Sequence, residues 1–239
     1  MYKDQQASGT ERRHIPLSLA LFIASAGSVL MIAIRIELTG TFRYVSLVWN
    51  LILAWIPYVL ALQIKRLSSS RIATTNRKLS MLAIGVVWLF FYPNAPYILT
   101  DFIHIIEDTH TSVFPRSLIT TNAVLWYDII LNSAFSFIGH FIGLISLVLL
   151  HRLIDAAYKK YVGWTVALVA MLLGGYGIYL GRFERLNSWD VFKHPLSTAR
   201  IVFVNLFNAK AMLFAGCFGF FIFLTYLIVY SFYETARTR

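Results

Sequence analysis

Asp101 and His104 stand three residues apart, so one helical turn would place a carboxylate and an imidazole on a single face. Such a pair suits acid–base chemistry or half of a metal site, and the same spacing also occurs in interfacial helices that do no chemistry. A second carboxylate, Asp128, follows Trp126 and Tyr127 at the opening of a long apolar run. An ionisable group there is disfavoured by about 3 kcal/mol on insertion scales, so it marks either function or a buried ion pair. Arg182 and Arg185 offer planar cationic groups for a phosphate, with Asn187 and Asp190 just behind them. Asn50 and Asn94 add uncharged groups that could bind a substrate. Zinc sites draw on more nitrogen or sulfur than the one histidine here supplies, so a metal would need carboxylates or water to complete its shell. The sequence specifies neither a metal nor a cofactor.

These residues must be positioned by helices. The run Tyr92-Pro93-Asn94-Ala95-Pro96-Tyr97 breaks a helix twice and frees backbone carbonyls, which is tolerated at membrane depth only where protein or water can satisfy them. Residues 97–107 either continue that helix or turn back. At 100° per residue, Asp128, Asn132, Ser136, Gly139, Gly143 and Ser146 fall within an arc of about 80°. Gly174, Gly177, Gly181 and Arg185 form a second narrow stripe. Eleven residues separate Asp128 from Gly139, and eleven separate Gly174 from Arg185. The matched register predicts that the two glycine faces pack on each other and bring Asp128 to Arg182 or Arg185. That pair would be either an anion-binding carboxylate–arginine site or an ion pair locking two helices. His140, off the stripe at mid-membrane, reads as a packing residue.

The six apolar runs that hold these motifs are residues 17–36, 44–64, 79–99, 123–150, 161–181 and 211–233. Each is long enough to cross about 30 Å of hydrocarbon. The 239 residues are 58% hydrophobic and only 13% charged, with a mean hydropathy of +0.67. That composition excludes an ordinary soluble domain and predicts an all-α, polytopic transmembrane helical bundle. Nothing sets off a detached soluble domain, so residues 1–239 read as one integral membrane domain. The net charge of +10 sits in short loops, which points to membrane topology and not to nucleic acid. Ala24-Ser25-Ala26 faintly resembles a signal-peptidase site, but the apolar run continues past it, so the first helix reads as uncleaved. Cys217 is the only cysteine, which leaves no intrachain disulfide.

With six spans, one side collects thirteen Lys and Arg and the other eight, which places both termini in the cytoplasm. Asn50, Asn94, Asp101, His104, Asp128, Asn132, Arg182, Arg185, Asn187 and Asp190 then all fall at the extracytoplasmic face. The opposite loops read as solvated anchors. Residues 196–208 read as an interfacial helix.

Four stretches carry a resemblance: Trp49 to Pro57, Pro93 to His104, Trp126-Tyr127-Asp128, and Gly177 to Asp190. In them the chain resembles the bacterial "domain of unknown function 1361" family, from about residue 40 to the end. The resemblance implies a multi-pass bacterial membrane protein and assigns no catalytic role to any residue.

Three functions fit the polar face. One is a membrane-embedded enzyme acting on a lipid or envelope precursor, with Asp101, His104 and Asp128 as metal ligands or acid–base groups and the arginines holding a phosphate. Another is a transporter or lipid-binding module, which the absence of internal repeats and of a charge relay weakens. The third is a non-catalytic scaffold in an envelope complex. The expectation is a substrate- or lipid-handling site in the bacterial plasma (inner) membrane, with the bilayer and an anionic lipid or envelope precursor as partners. Enzyme against binder stays open, as does the oligomeric state.

Overall fold

Apolar helices solve the problem that hydrocarbon sets: backbone N–H and C=O groups have no water to bind there, so they must pair within each segment. The computed structural model describes residues 16–69, 74–105 and 123–237, and these form helices joined by short turns. The long helices are α1 (Leu17–Thr39), α2 (Ser46–Ser68), α3 (Thr75–Phe91), α5 (Ala123–Ala157), α6 (Lys160–Phe183) and α9 (Ala209–Arg237). Between α3 and α5 lie α4 (Asn94–Tyr97) and a 3-10 turn over Ile98–Phe102. Between α6 and α9 lie α7 (Asp190–Lys193) and α8 (Pro195–Asn205). Six helices are long and apolar enough to cross a membrane, the third running from Thr75 through the break to Ile105. The chain is a multi-pass, all-α membrane protein. Lys3, Arg12, Arg13, Arg71, Arg116 and Arg239, which entered the count of basic residues, lie outside the described residues.

Helix α5 sits at the centre and touches α1, α2, the broken segment, α6 and α9. Its 35 residues extend about 52 Å, well beyond the hydrocarbon thickness. Leu47, Leu51, Leu131, Phe135 and Ile142 join α2 to α5 in one core. Trp88, Tyr92, Met171, Ile222 and Tyr226 join α3, α6 and α9 to it in another. Helices α6 and α9 approach closely because Gly219 has no side chain: a methyl there would meet the Leu172 Cα at 3.2 Å. Large apolar residues face outward around the bundle, among them Phe22, Leu82, Phe137 and Leu213, and these are the surfaces a bilayer covers.

Two features depart from the sequence reading. The fourth span continues to Ala157, two turns past the expected 150. The extension carries a buried His151 and the half-buried Arg152 and Asp155, so the face opposite the candidate site is more than a set of solvated anchors. There Arg152 reaches Glu234 of α9 at 2.9 Å and Asp155 at 3.9 Å. His151 Nδ1 lies 2.5 Å from the Tyr226 hydroxyl, and its ring packs edge-on against Trp164 at 4.9 Å. This second cluster ties α5, α6 and α9 together at their far ends.

Candidate functional site

The third span fails as a helix where Pro93 and Pro96 lack N–H groups, and neighbouring side chains satisfy what is left. Asn94 Nδ2 donates to the Phe91 carbonyl at 2.9 Å, and Ser188 Oγ donates to the Phe90 carbonyl at 3.2 Å. Ser136 Oγ of α5 reaches the Ile98 carbonyl at 3.2 Å. Glycines then make room for the bulk of the break. A methyl added at Gly143 would come to 2.7 Å from the Ala95 Cβ, and one at Gly139 to 2.5 Å from Ile98 Cδ1. On α6, a methyl at Gly177 would lie 2.5 Å from Pro93 Cγ, and one at Gly174 2.9 Å from the Tyr92 ring. The two glycine stripes therefore do not close on each other as their register predicted. They grip the broken segment between them, because the proline-rich turn is too wide for faces that carried side chains.

This wedge delivers Asp101 to a junction of three elements. Its carboxylate is buried, accepts from Asn50 Nδ2 of α2 at 2.7 Å, and lies 3.5 Å from Arg182 Nη1 of α6. His104 Nε2 stands 4.0 Å from Oδ1, the same oxygen that faces Arg182, with its ring about half exposed. Arg182 turns inward: Nη2 donates to the Thr100 carbonyl at 2.5 Å, and the guanidinium lies 5.8 Å from the Tyr97 ring centroid. The spacing argument for Asp101 and His104 thus describes neighbours, although the carboxylate is engaged by Asn50 and Arg182. Among the described residues, no group of three His, Cys, Asp or Glu could hold a metal ion.

Asp128 finds a different partner from the one its register suggested. Arg35 of α1 grips it through two parallel bonds, Nε to Oδ1 at 2.5 Å and Nη2 to Oδ2 at 3.0 Å, with both side chains buried. The remaining guanidinium nitrogen donates to Thr41 Oγ1 at 2.6 Å, and the Tyr44 ring lies 4.7 Å away. Arg182 is held at Asp101 instead, and Arg185 is exposed on the loop beyond α6. By sequence Arg35 only closes an apolar run, where a cation reads as an anchor at the helix end. A signal was present nonetheless: Leu21, Ser25, Ser28, Ile32 and Arg35 recur at intervals of three and four, and all are buried on one face. Asn132, one turn below Asp128, is buried and donates to the Asp128 carbonyl at 2.9 Å.

The loop after α6 folds back over the wedge. Arg185 adopts φ 55°, the left-handed region, and the Leu186 N–H bonds the Leu180 carbonyl at 3.1 Å. Asp190 Oδ2 accepts from the Asn187 backbone at 2.7 Å, and Asn94 Nδ2 reaches Ser188 Oγ at 2.9 Å. Glycine tolerates the left-handed region without a Cβ clash. Arg185→Gly is therefore expected to leave thermal stability unchanged or raise it by about 1 kcal/mol, while Arg185→Val lowers it by about 1–2 kcal/mol. Comparison of the two unfolding midpoints in one detergent checks this.

Between this loop, α2, α6 and α8 the folded chain leaves a cavity of about 420 Å³. Leu53, Phe90, Leu173, Tyr176, Leu180 and Val202 give it apolar walls. Asn50, Asn94, Asn187 and Ser188 gather at its polar end, and Trp49 meets Trp189 edge-on there at 6.3 Å. The size and make-up match small-molecule sites, which are apolar with a few convergent polar groups. Asn50 links the cavity directly to Asp101.

No curated protein and no solved structure matches the chain. A family match covers residues 49–225, a stretch that includes the broken span, Asp101, Asp128, Arg182 and the loop over the cavity. On that match, which takes in about three-quarters of its length, the chain belongs to the family described as "Protein of unknown function (DUF1361)".

Proposed function

We propose that this protein handles an amphipathic molecule, a lipid or lipid-linked envelope precursor, at the extracytoplasmic face of the bacterial plasma membrane. One observation carries the reading: a cavity with apolar walls ends in clustered amides and tryptophans at the membrane face that holds Asp101 and Arg182. The apolar part of the ligand fits against Leu53, Leu173 and Val202, and the polar part reaches Asn50 and Asn94. The surplus of basic residues on the opposite side supports the orientation. In this reading Asp101, with Asn50, Arg182 and His104, sets the shape of the polar end, and the Arg35–Asp128 pair anchors α1.

Filling the cavity tests the proposal. Val202 is half-buried in the wall, so Val202→Trp adds bulk there while α8 keeps its backbone bond from the Tyr176 hydroxyl to the Val202 carbonyl. Mass spectrometry of lipid extracted from purified protein is expected to show one lipid class enriched in wild type. That enrichment should fall several-fold in Val202→Trp at an unchanged melting temperature. Equal lipid content in the two proteins, or no enrichment over the surrounding membrane, would remove the basis for the proposal.

A further inference from the structure

We infer that the polar end of the cavity is built for an uncharged, hydroxyl-bearing head group, such as the sugar of a glycolipid, and not for a phosphate. The inference rests on the amphipathic-ligand reading and names its head-group class. Among the described residues that line the cavity there is no Lys, Arg, His, Asp or Glu. The Arg182 guanidinium is directed at Asp101 and the Thr100 carbonyl.

Hydrogen-bond bookkeeping then says what the ligand must supply. Asn94 commits both amide hydrogens, one to the Phe91 carbonyl at 2.9 Å and one to Ser188 Oγ at 2.9 Å. Asn50 commits one to the Asp101 carboxylate at 2.7 Å, and Asn187 one to Asp190 at 3.3 Å. Carbonyl and carboxylate oxygens only accept, so these partners fix which end of each amide is nitrogen. Ser188 gives its hydroxyl hydrogen to the Phe90 carbonyl and Thr198 gives its own to the Asp190 carbonyl. Asn50, Asn94, Asn187, Ser188 and Thr198 thus turn six of their eight side-chain hydrogens into the protein, leaving the amide oxygens of Asn50, Asn94 and Asn187 as acceptors beside the neutral indole N–H groups of Trp49 and Trp189.

A phosphate diester has no proton to offer them, and no cation in the lining offsets its charge. A sugar hydroxyl donates to an amide oxygen and also accepts, so it serves the remaining Asn50 hydrogen as well. Trp49 and Trp189 supply the aromatic faces on which the C–H surface of a sugar ring can rest.

The test uses the full-length protein in phosphatidylcholine nanodiscs carrying equal amounts of monoglucosyl diacylglycerol, phosphatidylglycerol and phosphatidylethanolamine, with protein-bound lipid read by native mass spectrometry. The glucosyl lipid is expected to be retained about tenfold over the other two, the size of one or two well-placed hydrogen bonds. Asn94→Leu should erase most of that preference, and so should Trp49→Ala, whose side chain is half exposed and can be removed without opening a core. If the glucosyl lipid is preferred but neither variant changes it, the head group does not sit here and the inference fails. Equal or stronger retention of phosphatidylglycerol or phosphatidylethanolamine, lost in Val202→Trp, overturns the head-group inference and leaves the amphipathic reading standing. If none of the three is retained above the phosphatidylcholine background, both fail together.

Discussion

Replacing Arg35 by leucine is expected to destabilise the protein by about 3–5 kcal/mol, the loss found when one member of a buried ion pair is removed and the other charge is left behind. The expectation follows from geometry: both side chains are buried, and the two bonds are parallel and short at 2.5 and 3.0 Å. Asp128→Leu should cost a similar amount. The double change Arg35→Leu with Asp128→Leu removes both charges together, so it should recover most of the loss. Unfolding followed by tryptophan fluorescence in a single detergent measures all four proteins. If the double variant is as unstable as the sum of the two singles, the residues do not form a coupled pair and the assignment of Arg35 is wrong.

The second large effect falls on the glycines that grip the broken span. Gly143→Ala and Gly177→Ala each push a methyl to within 2.7 or 2.5 Å of an atom in that span. Neither neighbour yields easily, since Ala95 is fully buried and Pro93 is a closed ring. Each substitution is expected to lower stability by about 1–3 kcal/mol, the usual range for overpacking. Each should also reduce lipid retention, because displacing Pro93 or Ala95 moves Asn94 and Asp101. Gly85→Ala and Gly216→Ala are matched controls, for nothing lies within 4 Å of a methyl at either position. They should be neutral, or stabilising by up to about 1 kcal/mol from helix propensity alone. A uniform response of all four variants in the same unfolding assay would show that the glycine stripes have no special role.

Much of the fold was legible because hydropathy and length answer directly to bilayer thickness. The six spans follow from that one constraint, the two prolines mark the break, and the pattern near residue 200 marks a short helix. Partner choice was not legible. A glycine stripe states that something approaches closely, yet Gly139 and Gly177 do not say whether that neighbour is the other stripe or a third segment. Arg35 was misread because it lies one turn from its helix end, where a cation is cheap on hydropathy grounds, and only the buried three-four spacing behind it revealed the inward direction. The far-side cluster was missed because the apolar run ends near Leu150, while burial against Trp164 and Tyr226 carries the helix on through His151. The cavity depends on the loop from Arg185 to Ser188 folding over the wedge, a tertiary event that no local pattern encodes.

The Arg35–Asp128 pair also sets an order of events during biogenesis. The two residues are 93 positions apart, so the first helix is made and inserted long before its counter-ion leaves the ribosome. In the interval Arg35 can reach up into the head-group layer, since it lies within about one turn of the helix end. Trp55 of the second helix already offers Ser25 a partner, but the ion pair that locks the first helix in place can form only once the fourth span has arrived. A nascent chain stalled before residue 128 would present an unneutralised arginine at the membrane surface, a mark by which incomplete copies differ from finished ones.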